Sequence, residues 1–382
     1  MLTLYKFELR KIISRKIVWI TGGVLLVGLV IWGIASAVLP QNREYSDSSL
    51  NGYAANRAEQ EAAEQISGRA IDQKLIDEMR PAYEDFIFNG NYKEALPYLD
   101  VYNFIGRTLG TQAGAEILVC DSEAFYEKLN AQLEANTLAG LTESISFDEP
   151  IVYHGYFDGW RQIADMMKLI TCMEIMFIAI CLSTVFTVEH TRKTDQVILC
   201  TRLGKKKLYA AKTLAGLTVG VGFTLLLSLL MFGIIAFLYG FDGYDTILQF
   251  VLLRPFNLTV GQAALILVGL SFAGAALISI FTMMLSEVTK NSIATIGIIT
   301  GVLLVTMFIM EMPANLKLLS EIWYLLPSNL VSLNGAFRYS MFHVGGSPLA
   351  AYQYAPIVYL VLAVIFALIG KLTYNRYQIN GR

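Results

Sequence analysis

Six apolar stretches, each long enough to cross a lipid bilayer, constrain the fold of this 382-residue chain more than any other feature. A hydrocarbon core of about 30 Å requires roughly 20 residues of helix. Within lipid, each backbone polar group needs a partner in its own segment, which a helix supplies. The stretches therefore predict an all-α membrane protein with transmembrane helices at 17–39, 166–188, 211–239, 259–286, 291–311 and 354–373.

The charged residues between these stretches sort into two groups. When the intervening segments are assigned alternately to the inside and the outside, with Lys212 and Lys371 at the span borders counted inside, the inside holds sixteen Lys and Arg but four Asp and Glu. The outside segments hold thirteen Lys and Arg against twenty-six Asp and Glu. Lys and Arg are retained on the cytosolic side of a membrane. We therefore expect a multi-pass plasma-membrane protein whose cytosolic segments, including both termini, are 1–16, 189–210, 287–290 and 374–382.

The N-terminal segment 1–16 has an amphipathic pattern. Its residues Leu2, Tyr5, Leu9 and Ile12 recur at helical spacing, with basic residues on other faces. This pattern predicts an interfacial helix on the cytosolic leaflet; a basic flank that only sets orientation is the alternative. The apolar stretch that follows has 23 residues, and the core of a signal peptide is shorter, so we expect a retained span.

The large polar section 40–165 separates the first and second stretches. It carries 22 acidic and 9 basic residues, and its length of about 125 residues suffices for a domain. Small and apolar residues at helical spacing predict a helix over 54–79 that ends before Pro81. Shorter helices are predicted at about 94–109 and 121–139. We expect a mostly helical extracellular domain inserted between the first two spans.

Two later connections carry further information about the fold. Segment 312–353 is too apolar for a solvated loop, yet Pro327, Asn334 and Gly335 interrupt it. This pattern predicts a re-entrant or interfacial pair of short helices near the outer leaflet. The connection at 287–290 is minimal, so the fourth and fifth spans should be antiparallel neighbours.

The cytosolic loop 189–210 contains an apolar cluster, formed by Val197–Leu199 with Leu203 and followed by Gly204, which suits a helix end. Basic charge in this loop is expected from topology alone. An apolar helix face outside the membrane indicates a docking surface. The alternative is that this short helix packs beneath the spans of its own chain.

The amphipathic N-terminal helix, the six spans, the large insertion and the short 287–290 turn together resemble the type-2 ABC transporter permeases. The loop from Glu189 through Thr201–Lys207 to Lys212 resembles the family's loop that carries a coupling helix. The resemblance implies binding to two copies of a separate ABC ATPase subunit, which holds ATP and Mg. It also implies pairing with a second permease copy or a related permease, within the membrane lipid of a bacterial cell. The implied ATPase-coupling residues are Glu189, Asp195, Gln196, Val197, Leu199, Arg202, Leu203 and Gly204.

Sequence motifs for catalysis and cofactor binding are missing. No G-x-x-x-x-G-K-[ST] motif occurs, so a nucleotide site has to be on another polypeptide. The histidines, His154, His190 and His343, form no H-E-x-x-H zinc motif, and the four cysteines form no C-x-x-C pair. We expect no enzyme activity, no cofactor or metal bound by this chain, and no nucleic-acid partner.

Glu174 stands inside the second apolar stretch, about 12 Å from its start by helix rise. An ionisable group there is costly and usually faces a cavity or a partner, which makes Glu174 a candidate for the translocation path. A structural role, hydrogen-bonded to a neighbouring helix, is the alternative. In the resembled family the second and fifth spans line the path between two permeases, which favours the lining role.

Two glycine pairs with GxxxG spacing occur in the spans. Gly216 and Gly220 lie in the third stretch, and Gly297 and Gly301 lie in the fifth. Such pairs permit close approach of two helices. The pattern suits packing within the subunit as well as contact with a second permease.

The predicted function is export of a peptide, an antibiotic or a lipid-like compound, driven by ATP hydrolysis on a partner subunit. The alternative comes from a different class of protein. It is a membrane-anchored sensor or scaffold whose acidic 40–165 domain binds a ligand or partner.

Overall fold

The structure is a computed structural model that describes residues 2–39, 51–110, 114–136, 145–191, 207–309, 312, 316–344 and 347–376. The helices in these residues are α1 (Leu2–Ile13), α2 (Lys16–Val38), α3 (Gly52–Glu64), α4 (Gln73–Asn89), α5 (Leu99–Leu109), α6 (Gly114–Val119), α7 (Ser122–Ala135), α8 (Asp158–Leu182), α9 (Thr184–Thr191), α10 (Lys207–Leu238), α11 (Val260–Thr289), α12 (Ser292–Phe308), α13 (Lys317–Tyr324), α14 (Pro327–Leu330), α15 (Leu333–Ala336) and α16 (Ala351–Arg376). Short 3-10 turns lie at Leu96–Tyr98 and Leu248–Phe250. Strands β1 (Tyr339–Val344) and β2 (Ser347–Ala350) form an antiparallel hairpin.

Among the described residues, five helical segments are long and apolar enough to cross a membrane. They are α2, Asp158–Glu189 (α8 with most of α9), α10, α11 and α16 to Asn375. Helix α12 is also apolar but has 17 residues, a length of about 26 Å. The chain is therefore a membrane-embedded helical protein, and its sixth span stays a prediction.

Helix α8 lies at the centre of the membrane part, in contact with α2, α10, α11 and α12. On its buried side, Phe177 stacks on Phe223 of α10 with ring centroids 3.7 Å apart. Helices α2 and α16 instead expose much of their apolar surface. A helix that is apolar all round suits either a protein interior or lipid. The burial pattern therefore separates an inner helix, α8, from peripheral ones.

The second predicted span is interrupted near its end by Ser183. Helix α8 ends at Leu182, and α9 begins at Thr184. The hydroxyl of Ser286, on α11, donates a hydrogen bond to the Ser183 carbonyl at 2.6 Å. A side-chain donor at such a point supports a local interruption of the helical hydrogen-bond ladder. The contact ties the start of α9, which carries Glu189, to α11.

The N-terminal amphipathic segment forms α1, which packs along the first half of α10. The hydroxyls of Tyr5 and Thr218 lie 2.9 Å apart and form a hydrogen bond. Ile12 and Glu8 are buried, whereas Leu2 is exposed. Burial of a charged residue on this helix indicates a specific polar partner in the membrane part.

In the inserted section, the prediction of one helix over 54–79 ending before Pro81 is wrong, because α3 and α4 replace it. Between them Gly68 adopts a left-handed φ of 79°. Asp72 then caps α4 by accepting a hydrogen bond from the Leu75 amide at 2.9 Å. Small and apolar residues recur at helical spacing in both α3 and α4, so this periodicity does not show that a turn separates the two helices. Helix α4 continues past Pro81 because burial of its apolar face outweighs the single hydrogen bond that proline removes.

The core of the inserted section includes residues from a distant loop. Phe250, between α10 and α11, stacks on Phe104 of α5 with ring centroids 4.3 Å apart. Arg107 donates hydrogen bonds from Nη1 to the carbonyls of Phe250, at 2.5 Å, and Val251, at 2.9 Å. The inserted section is therefore anchored to the connection between the third and fourth predicted spans.

The prediction of a pair of short helices in segment 312–353 is wrong, because its described residues form three short helices, α13 to α15, followed by the β1–β2 hairpin. Buried Glu321 holds this section together. It accepts hydrogen bonds from the Tyr354 hydroxyl at 3.2 Å and from Arg338 Nη2 at 3.4 Å. The turn from α11 to α12 is as short as predicted, with Lys290 in the left-handed region at φ 53° and Asn291 capping α12.

Candidate functional site

Glu174 is completely buried at the meeting of three helices. Its Oε2 atom accepts hydrogen bonds from the hydroxyls of Thr224, on α10, and Ser271, on α11, each at 2.9 Å. The Thr171 hydroxyl lies 3.4 Å from that of Ser271 and donates to it. Within the described residues, Glu174 Oε1 has no hydrogen-bond partner. The carboxylate is therefore half satisfied.

Small side chains allow the three helices to approach closely around this acid. A Cβ at Gly220 would collide with Ser279 Oγ of α11 and lie 3.4 Å from Ile178 of α8. A Cβ at Gly216 would collide with Met283 Sδ, also on α11. This glycine pair therefore sits where α10 meets α11 within the subunit, the close approach that GxxxG spacing permits.

The second glycine pair has different surroundings. Among the described residues, no atom other than the nearby backbone of α12 lies within 4 Å of a Cβ built at Gly297 or at Gly301. On the same face of α12, the side chains of Leu304 and Val305 are nearly half exposed, at 48% and 46%. This face of α12 therefore leaves space for lipid or another helix.

An apolar cavity of about 420 Å³ lies between α8, α11, α12, α13, α14 and α16, and its lining includes Ile175, the chain neighbour of Glu174, but not Glu174 itself. The predicted second and fifth spans both line it, through Ile175 and Ile299. Aromatic rings contribute to its wall, and none of its described lining residues is charged. The Tyr359 hydroxyl donates a hydrogen bond at 2.7 Å to the carbonyl of Leu325, which is also a lining residue. The cavity suits an apolar group.

A second polar cluster connects α1, α9 and α10 at the ends of the predicted coupling loop. Lys11 Nζ lies 2.6 Å from Glu189 Oε1, and Lys212 Nζ lies 2.5 Å from Glu189 Oε2. Lys212 is completely buried, and its ammonium group lies 5.0 Å from the centre of the Phe186 ring. Buried Glu8 is 3.7 Å from Lys11. We call these residues, Glu8, Lys11, Glu189 and Lys212, the charge cluster.

Glu189 and Lys212, which bracket the sequence-predicted coupling loop, are thus brought together as an ion pair. The other predicted coupling residues, Asp195, Gln196, Val197, Leu199, Arg202, Leu203 and Gly204, lie outside the described residues. The charge cluster therefore holds together α9 and α10, the two helices that the loop connects, and it includes Glu8 and Lys11 of α1.

A third polar cluster marks the junction between the inserted section and α8. The Tyr153 hydroxyl donates to Asp100 Oδ2 at 2.6 Å, and Asp158 forms an ion pair with Arg161 at 3.1 Å. Burial, together with the nearby charge of Asp158, raises the pKa of Asp100 to about 7. No group of three or more His, Cys, Asp or Glu in the described part of the chain has the arrangement of a metal site.

Sequence reasoning identified Glu174 but missed its hydroxyl partners, Thr224 and Ser271. Single hydroxyl residues are common in apolar helices, so nothing local distinguishes the two that face an acid. It also missed the role of Glu8, the one acid in a basic N-terminal helix. A single acidic residue in an otherwise basic helix is the sequence feature that could have indicated a buried partner for Glu8.

The whole chain was then compared with known proteins. The family described as "ABC-2 family transporter protein" matches residues 2–368. No curated protein and no solved structure matches the chain. The family match spans α1, the inserted section and the candidate membrane-spanning helices. The chain therefore belongs to the ABC-2 family of transporter proteins and is a transmembrane permease.

Proposed function

We propose that this chain is the membrane-spanning subunit of an ABC exporter and works with ATPase subunits on separate polypeptides. Two ATPase subunits would bind ATP and Mg, and two permeases, identical or related, would enclose the path. Six spans, with α12 as the fifth, would leave both termini in the cytosol of a bacterial cell and residues 40–165 outside. The family match supports the permease role.

The charge cluster is the observation that carries the coupling part of this proposal. Glu189 and Lys212 flank the loop 192–206, and their contact with Lys11 joins three helices at one point. Separating buried ion pairs leaves uncompensated charge and is strongly unfavourable. A force applied to the loop by an ATPase would therefore move α9 and α10 together, because the ion pairs prevent the end of one helix from moving without the other.

The apolar cavity lined by Ile175 and Ile299 supports an amphipathic cargo, such as a peptide, an antibiotic or a lipid-like compound. Its walls are apolar, and the second and fifth predicted spans both contribute to them. A site that combines apolar walls with a few polar groups is typical of small-molecule binding.

Co-purification tests the partnership with an ATPase. The full-length chain is tagged and expressed in the organism that it comes from, and the proteins recovered with it are assayed for an ABC ATPase. We expect the double substitution Leu199→Asp and Leu203→Asp to abolish recovery of the ATPase, because an apolar docking face becomes charged. The control, Thr194→Asp with Thr201→Asp, adds the same charge to the loop but retains both leucines.

Two outcomes contradict this proposal. Equal recovery of the ATPase with both double variants would mean that the loop packs beneath its own spans. A wild-type chain that never recovers an ATPase would favour a sensor or scaffold. In a sensor, the contact of the inserted section with Phe250 would connect that section to α10 and α11, because the loop that contains Phe250 joins these two helices.

A further inference from the structure

We propose that a groove between α1, α2, α8 and α10 binds one acyl chain of an anionic phospholipid, whose headgroup lies against exposed basic residues of α1 and α2. The lipid comes from the leaflet at which α1 lies. This inference goes beyond the proposed export function, because it concerns neither the cargo nor the ATPase.

The first argument is the apolar lining of the groove, which has a volume of about 370 Å³. No described lining residue is charged, and the one hydroxyl in the wall belongs to Thr218. That hydroxyl already bonds to the Tyr5 hydroxyl and donates to the Leu214 carbonyl at 2.8 Å. Trp19 and Leu226, at the sides of the groove, are exposed at 68% and 55%. The groove therefore faces lipid and suits a hydrocarbon chain.

The second argument is the length and position of the groove. Its lining residues on α2 extend from Val18 to Leu26, and those on α10 extend from Thr218 to Leu226. Each stretch is about 12 Å long, which is less than half of a hydrocarbon core of about 30 Å. Helix α2 begins at Lys16, two residues before the groove. The groove therefore starts near one end of a membrane helix and stays within one leaflet, as a lipid tail does.

The third argument is the charge beside the groove. Lys6 and Arg10 of α1 are exposed, and each precedes a groove residue, Leu9 and Ile13 respectively, by three positions. Residues at this spacing are neighbours on a helix surface. Glu8 is the one acid in α1 and α2, and it is buried in the charge cluster. The exposed surface next to the groove is therefore basic, and it complements an anionic headgroup.

The start of α2 continues this basic surface. Lys16 is exposed and precedes Trp19, another groove residue, by three positions. The Trp19 indole Nε1 donates a hydrogen bond to the Ile13 carbonyl at 2.8 Å, which joins the ring to the end of α1. Tryptophan is enriched at the boundary between the hydrocarbon core and the headgroups. Trp19 therefore lies where a lipid tail in the groove would meet its headgroup.

Native mass spectrometry of the full-length chain, released from dodecyl maltoside micelles, tests the site. The anionic probe is dioleoyl phosphatidylglycerol, and the zwitterionic probe with the same tails is dioleoyl phosphatidylcholine. We expect the wild type to bind phosphatidylglycerol more tightly. Lys6→Gln with Arg10→Gln should raise the Kd of phosphatidylglycerol about 10- to 30-fold and leave that of phosphatidylcholine unchanged. The control, Lys74→Gln with Lys93→Gln, removes two exposed positive charges from the inserted section and should change neither Kd.

A second pair of variants tests the groove itself. Gly23 lines the groove on α2, whereas Gly28 lies on the same helix outside it. No other described element comes within 4 Å of a Cβ built at either glycine. Gly23→Leu places a side chain in the groove and should weaken both lipids about fivefold or more. Gly28→Leu should weaken neither. Elution of each variant as a single species by size exclusion shows that it is folded.

Four results overturn the inference. Equal Kd values of the two lipids for the wild type do so, as does equal loss of phosphatidylglycerol binding in the two double variants. Unchanged lipid binding in Gly23→Leu would place the acyl chain elsewhere. A wild-type dimer that Gly23→Leu alone converts to a monomer would assign the groove to a second copy of the chain. None of these measurements involves an ATPase, so their failure is distinct from a failure of the co-purification test.

Discussion

Glu189→Gln should destabilise the protein more than any other single substitution in the charge cluster. The change keeps the shape of the side chain but removes the negative charge that lies 2.6 Å from Lys11 and 2.5 Å from Lys212. Lys212 has no exposed surface, whereas a third of the Lys11 side chain is exposed. The Lys212 ammonium is therefore the group that loses its compensation.

The magnitude follows from the burial of Lys212. Removal of one partner from a buried ion pair costs about 3–5 kcal/mol, because the remaining charge stays desolvated. Lys11→Met should cost about 1 kcal/mol or less, since a partly exposed pair is screened by water. The double variant Glu189→Gln with Lys212→Met removes both buried charges and should recover about 2–3 kcal/mol of the loss.

Equilibrium unfolding in detergent micelles, with the same detergent and ionic strength for every variant, measures these differences. Expression in the presence of the ATPase adds a functional reading, because loosening of α9 from α10 should lower the stimulation of ATPase activity. The reasoning is refuted if Glu189→Gln unfolds within about 0.5 kcal/mol of the wild type, or if the double variant loses the sum of the single losses.

Gly220→Val should lower the free energy of unfolding by about 1–3 kcal/mol, because it overpacks the α10–α11 contact, and micelle unfolding measures the loss. Its matched control, Gly301→Val, adds the same atoms at a position that no other described element approaches within 4 Å, and it should leave stability unchanged. Equal losses would contradict the assigned packing. The stability of the folded state should depend on pH through Asp100, because the pKa of this side chain is about 7 in the folded state and near 4 in the unfolded state. The folded state then holds the extra proton between these values, so stability should fall as pH rises from about 4 to about 7. Asp100→Asn should flatten this part of the thermal-unfolding profile, and an unchanged slope would contradict the assignment.

Hydropathy predicted the helices of the membrane part well because apolar length and helix formation in lipid are linked by backbone hydrogen bonding. It also identified Glu174, since an acid in an apolar run is conspicuous. The contacts of Glu174 depend on how three helices rotate and approach, which local spacing does not encode. The same holds for Glu189. The resemblance placed Glu189 and Lys212 at the two ends of one loop, but the ion pairs of Glu189 with Lys212 and Lys11 depend on the packing of α1, α9 and α10.

For the inserted section, the helices predicted from the sequence were partly correct, for a different reason. Helical spacing over 54–79 was real, but Gly68 and the Asp72 cap divide it. The place of Phe250 in this core was not foreseen, because a single aromatic residue in a short connection has no periodic signature. Long-range packing, rather than any local preference, decides where its ring lies.

The stacking of Phe250 on Phe104 also imposes an order of events on biogenesis. The inserted section is synthesised before the helices whose connecting loop completes its core. Translation proceeds at about 5–20 residues per second, so the roughly 100 residues between Tyr153 and Phe250 take on the order of 5–20 s. During that interval Phe104 and its neighbours lack a ring that later covers them. The section must therefore stay incompletely packed until α8, α10 and the loop that follows α10 have been synthesised.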